Sequence, residues 1–334
     1  MAESISCGIC GGPTISISEP NQGYVEGYYF EILECSRCSG RMSSNQFIPA
    51  WLYDRIYEQS SQIPGYARYS RYSHRVKEHD APLDFMAESE LAYRYVADFM
   101  RRDTKGSGLI VEIGCGSGYL TYALRKTGYE CIGVDNSSKA IALARDVFGE
   151  PSWFSTTEDF QSEGRLAHLV IALEVIEHVA SPYEFVNEAF SLLEDGGAML
   201  LTTPNRNASP KTALWASDLP PVHLYWLGQE SLEALAGRCG ADVEILIPSA
   251  MGNGELLAQS PLVWPPILDA SGDVTAVVRQ DSRFSSRLRK RLARALTTLT
   301  IILSQEPRRE LTNRKGATEA VPTTLGSVFR KVSL

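Results

Sequence analysis

VEIGCGSGYL, residues 111–120, is the stretch on which the fold turns. An apolar run, LIVEIG at 109–114, leads straight into Gly114, Gly116 and Gly118, and a helical pattern follows. Glycines at this spacing allow a tight strand-to-helix turn and let a ligand approach the backbone. The third glycine comes one residue earlier than in the G-x-G-x-x-G dinucleotide loop. An acid, Glu112, stands just before the turn, where it would repel a pyrophosphate and suit a cationic ligand without phosphate.

Outward from this loop, short apolar runs alternate with helical stretches: CIGVD (131–135), HLVIAL (168–173), AMLLTTP (198–204) and VEILIP (243–248). Such alternation implies a parallel sheet covered on both faces. SSKAIALARDVF, from Ser137, keeps its apolar residues on one side and offers Ser137 as an N-cap. Asp135 ends the second run, where an acid can accept hydrogen bonds from two ribose hydroxyls, and Asn136 follows it.

A ligand with an ammonium, a sulfonium and an adenosine but no phosphate is S-adenosylmethionine. VEIGCGSG, GVD, LEVIEHV and LEDGGAMLLTTPN stand in the order of the class I S-adenosylmethionine-dependent methyltransferases, which residues 108–248 resemble. The resemblance implies an α/β fold, a Rossmann-like sheet of seven mainly parallel strands. It also implies Glu112, Gly114, Gly116, Gly118, Asp135, Asn136 and Leu173 as cofactor-binding positions, with TTED (156–159) near the adenine.

EVIEHV, 174–179, ends the fourth run. Read as a helical turn, it puts Glu174, Glu177 and His178 on one face. His223, in PPVHLYWLGQESL (220–232), reaches the same sheet edge. Two carboxylates and two imidazoles there would suit a divalent metal such as magnesium. Without a metal, His178 or His223 is the expected general base. This stretch resembles the ubiquinone-biosynthesis O-methyltransferases, with their Glu-x-x-Glu-His turn, a following T-P/I-N-R segment (TTPNR, 202–206) and a later His. The resemblance implies a metal that holds two adjacent acceptor oxygens.

Ahead of this core stand two C-x-x-C pairs, Cys7/Cys10 and Cys35/Cys38, out of seven cysteines. Paired knuckles in so short a segment point to a structural zinc held by four thiolates. GYVEGYYFEILE (23–34) between them reads as ribbon strands. Residues 48–105 are rich in Tyr and Arg, with YARYSRYSHRVKEH at 66–79, and read as a helical lid for an anionic or aromatic substrate. The apolar spacing predicts a helix from Asp80 to Arg102.

The net charge of −8 over 334 residues excludes a uniformly basic nucleic-acid binder. The charge is uneven: Arg279–Lys315 holds eleven Lys/Arg against three acids, while residues 1–278 sum to −17. Ser282–Gln305 reads as a basic amphipathic helix. It suits an anionic membrane surface, an acidic partner or this chain's own acidic body. Residues 306–334 are expected to be mobile. Nothing reads as a signal peptide or a membrane span, so a cytoplasmic protein is expected, with peripheral membrane contact open through the tail.

The expected organisation is a zinc ribbon (1–47), a lid or linker (48–105), a methyltransferase domain (106–280), and a basic helix with a mobile tail (281–334). The expected activity is methylation of a hydroxyl on a small polar acceptor: a sugar, glycan or natural-product intermediate. An RNA methyltransferase and a non-enzymatic cofactor-binding subunit are the alternatives. The −17 body argues against the first, and the intact loop and acid–histidine cluster against the second. O-, N- and C-methylation share this core and stay open, as does oligomeric state.

Overall fold

The computed structural model describes residues 5–63, 66–102, 108–208, 218–249, 266–275 and 322–332. The basic helix expected at 282–305 lies outside them. No described helix is long and apolar enough to cross a membrane.

The N-terminal module is a small antiparallel sheet. Thr14–Ser16 pairs with Ile32–Cys35, which pairs with Arg41–Ser43. Four helices follow: α1 (Leu52–Gln59), α2 (Ala67–Arg75), α3 (Pro82–Ser89) and α4 (Leu91–Arg102). The single helix expected from Asp80 to Arg102 is thus two. Glu90 breaks it with extended backbone (φ −148°, ψ 153°). Its carboxylate accepts from the Tyr72 hydroxyl and from Arg68, both at 2.8 Å, which holds the break toward α2.

The core strands are β1 (Ile110–Ile113), β2 (Cys131–Asp135), β3 (Phe154–Thr156), β4 (Ala167–Leu173), β5 (Leu193–Pro204), β6 (Ala241–Leu246) and β7 (Thr324–Lys331). They form one sheet in the order β3-β2-β1-β4-β5-β7-β6, with β7 antiparallel to both neighbours. The pairs from β3 to β5 are parallel. Helices α5 (Tyr119–Lys126), α6 (Ser138–Phe148), α7 (Thr157–Ser162), α8 (Pro182–Ser191) and α9 (Gln229–Arg238) complete the core.

Both faces of the sheet are buried, as its unbroken apolar runs require. Val111, Val134, Val170, Ala172, Met199 and Leu201 pack on one side. Ile110, Cys131, Leu169, Ile171 and Leu200 pack on the other, with α3, α4 and α5. Ser137 caps α6 as its position suggests, its hydroxyl accepting from Ala140 N at 3.2 Å, and Gly149 ends the helix in the left-handed region.

The C-terminal segment departs from expectation. Thr324–Lys331, expected to be mobile, lies inside the sheet with Leu325, Val328 and Phe329 buried. Gly326 and Ser327 interrupt its apolar run and hide the strand signal. Gly326 is needed because α4 crosses there: a Cβ would stand 2.5 Å from the Tyr95 ring. The Tyr95 hydroxyl donates to Thr324 O at 3.1 Å.

Candidate functional site

Gly114, Gly116 and Gly118 all have positive φ, +72°, +51° and +75°. Each disfavours a side chain through its backbone, and each lies against a different neighbour. A Cβ on Gly114 would meet Val175 at 2.6 Å, so the loop touches the turn after β4. One on Gly118 would meet Phe154 at 2.4 Å, so α5 sits close on the sheet. One on Gly116 would stand 3.2 Å from the Tyr57 hydroxyl of α1.

Asp135 binds the loop together. Its carboxylate accepts Gly116 N at 3.0 Å and Ser137 N at 2.8 Å. Burial pushes its pKa up against these two amides. Asn136 beside it is exposed and Leu173 half-buried at the end of β4. Glu112 is placed differently from a group facing an open cleft. It is buried and accepts a hydrogen bond from Thr121 of α5, and burial raises its pKa to about 8.

Sequence reasoning missed how α1 closes this region. The Ser137 hydroxyl donates to Asp54 at 2.8 Å, and Lys139 pairs with Glu58. Burial first, and then the charges of Glu177 and Asp135, push up the pKa of Tyr53 on the same helix. Its ring meets His178 edge-on at 6.0 Å. The tyrosine-rich composition of 48–105 is the signal that pointed here, without naming Tyr53, Asp54 or Glu58.

The turn after β4 holds the second constellation. Glu174 takes a left-handed backbone (φ 52°), and His178 N closes a turn on Val175 O at 2.9 Å. This is not the helical turn expected, so Glu174 is set apart. Its carboxylate accepts from the Thr202 hydroxyl at 2.9 Å, and its pKa is raised to about 7 by burial, against that hydrogen bond. Glu177, His178 and His223 instead converge, each offering a ligand atom within 4.8 Å of the others. The Thr203 hydroxyl donates to Glu177 Oε2 at 3.0 Å.

The trio is short of partners. Glu177 Oε1 and His223 Nδ1 are buried without a hydrogen bond among the described residues. His178 Nδ1 sits 2.6 Å from Val222 O, so it carries the proton and donates, leaving Nε2 as a free lone pair. Nε2 faces Glu177 Oε1 at 3.9 Å. Burial lowers the pKa of both imidazoles to about 3, and for His178 the neighbouring His223 lowers it further. Burial and the nearby Glu174 push Glu177 well up. Bare lone pairs that resist protonation, beside an orphaned carboxyl oxygen, fit a divalent cation. Two nitrogens and one oxygen match a borderline transition ion better than magnesium, which favours oxygen.

The four cysteines form a second cluster, with their sulfurs all within 4.8 Å of one another. Cys7–Cys38 is 3.8 Å and Cys10–Cys35 is 3.5 Å, far beyond a disulfide bond. Zinc–sulfur bonds of about 2.3 Å set tetrahedron edges of about 3.8 Å, so the four thiols fit zinc. The knuckles match residue for residue. Cys7 N donates to Gly12 O and Cys35 N to Gly40 O, while Gly11 N and Ser39 N return to Cys7 O and Cys35 O. Of the remaining histidines, His168 meets Glu194 at 3.0 Å and His79 stacks on Phe85.

Residues 87–245, just under half of the chain, match the model of the methyltransferase domain family. The sheet order above fits the class I methyltransferase fold. Similar curated proteins are ubiquinone biosynthesis O-methyltransferases. That of Ruegeria sp. (strain TM1040) is 32% identical over 43% of this chain and 60% of its own length. The mitochondrial one of Arabidopsis thaliana is 39% identical over 29% of this chain and 32% of its own length. The chain therefore spans less than two thirds of these relatives. Among solved structures, the plantazolicin methyltransferase BamL overlays with a TM-score of 0.41 at 16% identity, over 84% of this chain and 96% of that one. A methyltransferase from Archaeoglobus fulgidus also gives 0.41 at 16% identity, over 71% and 92%.

Proposed function

We propose that the protein transfers the methyl group of S-adenosylmethionine to a hydroxyl of a small polar acceptor such as a sugar, glycan or natural-product intermediate. The observation that carries this reading is the convergence of Glu177, His178 and His223 on one point, beside the turn that the glycine loop touches. Similarity to O-methyltransferases whose acceptors belong to ubiquinone biosynthesis supports it.

In this reading Gly114, Gly116 and Gly118 bring the backbone up to the cofactor, and Asp135 takes the ribose hydroxyls. Leu173 and the α1 tyrosines close its sides and exclude water. The methyl carbon needs only an aligned nucleophile, so what remains for the protein is to orient the acceptor oxygen and take its proton. His178 suits that role, because Val222 fixes its tautomer and Nε2 is unprotonated near neutral pH. That role holds without a metal; were a divalent ion held by Glu177, His178 and His223, Nε2 would be its ligand instead, and the ion itself would lower the hydroxyl pKa. Cys7, Cys10, Cys35 and Cys38 hold a structural zinc with every ligand position filled by protein.

Calorimetry with S-adenosylmethionine tests the core of the proposal. Binding should appear in the native chain and weaken at least tenfold in Asp135→Ala. A native chain that fails to bind the cofactor would refute it. Turnover with a catechol or vicinal-diol panel, lost on chelation while cofactor binding persists, would support the metal role.

A further inference from the structure

The cysteine module is stitched to the segment that carries His223. Arg41–Ser43 pairs antiparallel with Tyr225–Trp226, and Ser43 N donates to Leu224 O at 2.8 Å. On the other side of that segment, Leu224 N and Tyr225 N both donate to Glu177 O, at 2.7 and 3.2 Å. His178 Nδ1 donates to Val222 O, and the Tyr225 hydroxyl to Ala180 O at 3.0 Å. Residues 222–226 therefore lie between the ribbon and the Glu177–His178 turn, hydrogen-bonded to both.

The cysteine end of the module is fastened as tightly. Arg238 of α9 donates from Nη1 to Gly8 O at 3.2 Å and Ile9 O at 3.1 Å, inside the first knuckle. The Ser231 hydroxyl, also on α9, donates to Cys38 O at 3.1 Å, inside the second. No slack remains between the parts. A Cβ on Gly8 would overlap the Tyr225 hydroxyl at 2.2 Å, and one on Gly40 would stand 2.9 Å from Ser231 Oγ. The carbonyls that α9 grips belong to knuckles whose shape four thiols share.

We propose that the zinc-loaded ribbon is the positioning element for His223, holding it against Glu177 and His178. Arg238 and Ser231 are the positioning residues that transmit this hold. The inference rests on the readings of the four thiols as a zinc site and of the trio as the acceptor site. It assigns the ribbon to the geometry of the acceptor side and leaves the cofactor side, on β1 and β2, independent of it. A backbone strand clamped on both edges by amide bonds has little freedom, and releasing one edge restores it.

Hydrogen exchange on the full chain, read by mass spectrometry over 219–227, tests this. In Arg238→Ala with zinc content unchanged, these amides should exchange about tenfold faster, while β1 and β2 keep their protection. S-adenosylmethionine affinity, read by calorimetry, should stay within twofold. Arg238→Lys, which can still donate to one carbonyl, should recover most of the protection. Ser231→Ala should show the same local effect, and removal of zinc by a chelator a larger one. Unchanged exchange over 219–227 in both alanine variants would overturn the proposal. So would a loss spread evenly over the whole sheet. Should zinc removal unfold the chain, the two zinc-bound variants decide. Native protein without zinc or without cofactor binding would instead sink the readings beneath it, and metal analysis and calorimetry report those separately.

Discussion

Thr203 donates its hydroxyl to Glu177 Oε2 at 3.0 Å and leaves Oε1 turned toward the two histidines without a hydrogen-bond partner among the described residues. One threonine thus fixes which carboxyl oxygen is available. Thr203→Val keeps the shape and removes that donor. A hydrogen bond behind a metal ligand is worth about 10–100-fold in affinity. Titration of the zinc-loaded chain with Mn2+ should show that loss at the trio, with S-adenosylmethionine affinity unchanged. Equal Mn2+ affinity in the variant would mean that Thr203 does not orient Glu177.

The buried ionisable groups set a pH dependence of stability with a definite sign. Glu112 and Glu174 have folded pKa values raised to about 8 and about 7. Their contribution is full below their unfolded pKa and is lost as pH rises through those values. His178 and His223 are lowered to about 3, so their contribution is full above the unfolded histidine pKa and falls as pH drops toward 3. Urea denaturation of the metal-free, cofactor-free protein should therefore show highest stability near pH 5–6. At pH 8.5 it should be lower by a few kcal/mol, on the order of one shifted carboxyl. A flat profile between pH 6 and 8.5 would contradict the burial of Glu112 in its protonated form.

What the sequence made legible was local. The glycine loop, the Ser137 cap and the apolar runs of β1, β2, β4 and β5 declare themselves within a dozen residues, because turn sterics and strand burial act at short range. The two knuckles are legible for the same reason, since each needs only its own six residues. Glu174 was misread because one left-handed residue defeats helical spacing, and no pattern announces it. Tyr53, Tyr57 and the Tyr225–Trp226 pairing act across the fold, and their sequence neighbours carry no sign of it. β7 was missed because its partners β5 and β6 lie far back along the chain and its centre is Gly-Ser.

The matching knuckles differ at one informative position. Gly11 and Ser39 occupy the same place, and both have positive φ, +72° and +55°. Glycine adopts that backbone freely, whereas a side chain costs about 1 kcal/mol or more. Ser39→Gly should therefore stabilise the protein by about 1 kcal/mol, and Gly11→Ala should destabilise it by a similar amount. Thermal melts of the zinc-loaded chain would register about 2 °C up and down respectively. Shifts of the same sign in both variants would contradict the equivalence of the two positions.

The strand near the C-terminal end is the strongest test of the fold. β7 pairs with β5 from Met199 to Pro204 on one side and with β6 from Ala241 to Leu246 on the other. Removing residues 322–334 would leave both of those edges unpaired and uncover the faces on which Leu325, Val328 and Phe329 pack. Phe329 is fully buried, and truncating such a ring to alanine costs about 3–5 kcal/mol. A typical domain has only about 5–15 kcal/mol in hand, so loss of the whole strand should exceed it. Phe329→Ala should remain folded with a lowered urea midpoint, and the deletion should be insoluble or lack a cooperative transition. Cofactor binding should survive in the first and vanish in the second, because β1 and β2 depend on the same sheet. A deletion variant that melts like the native chain would show that β7 is dispensable.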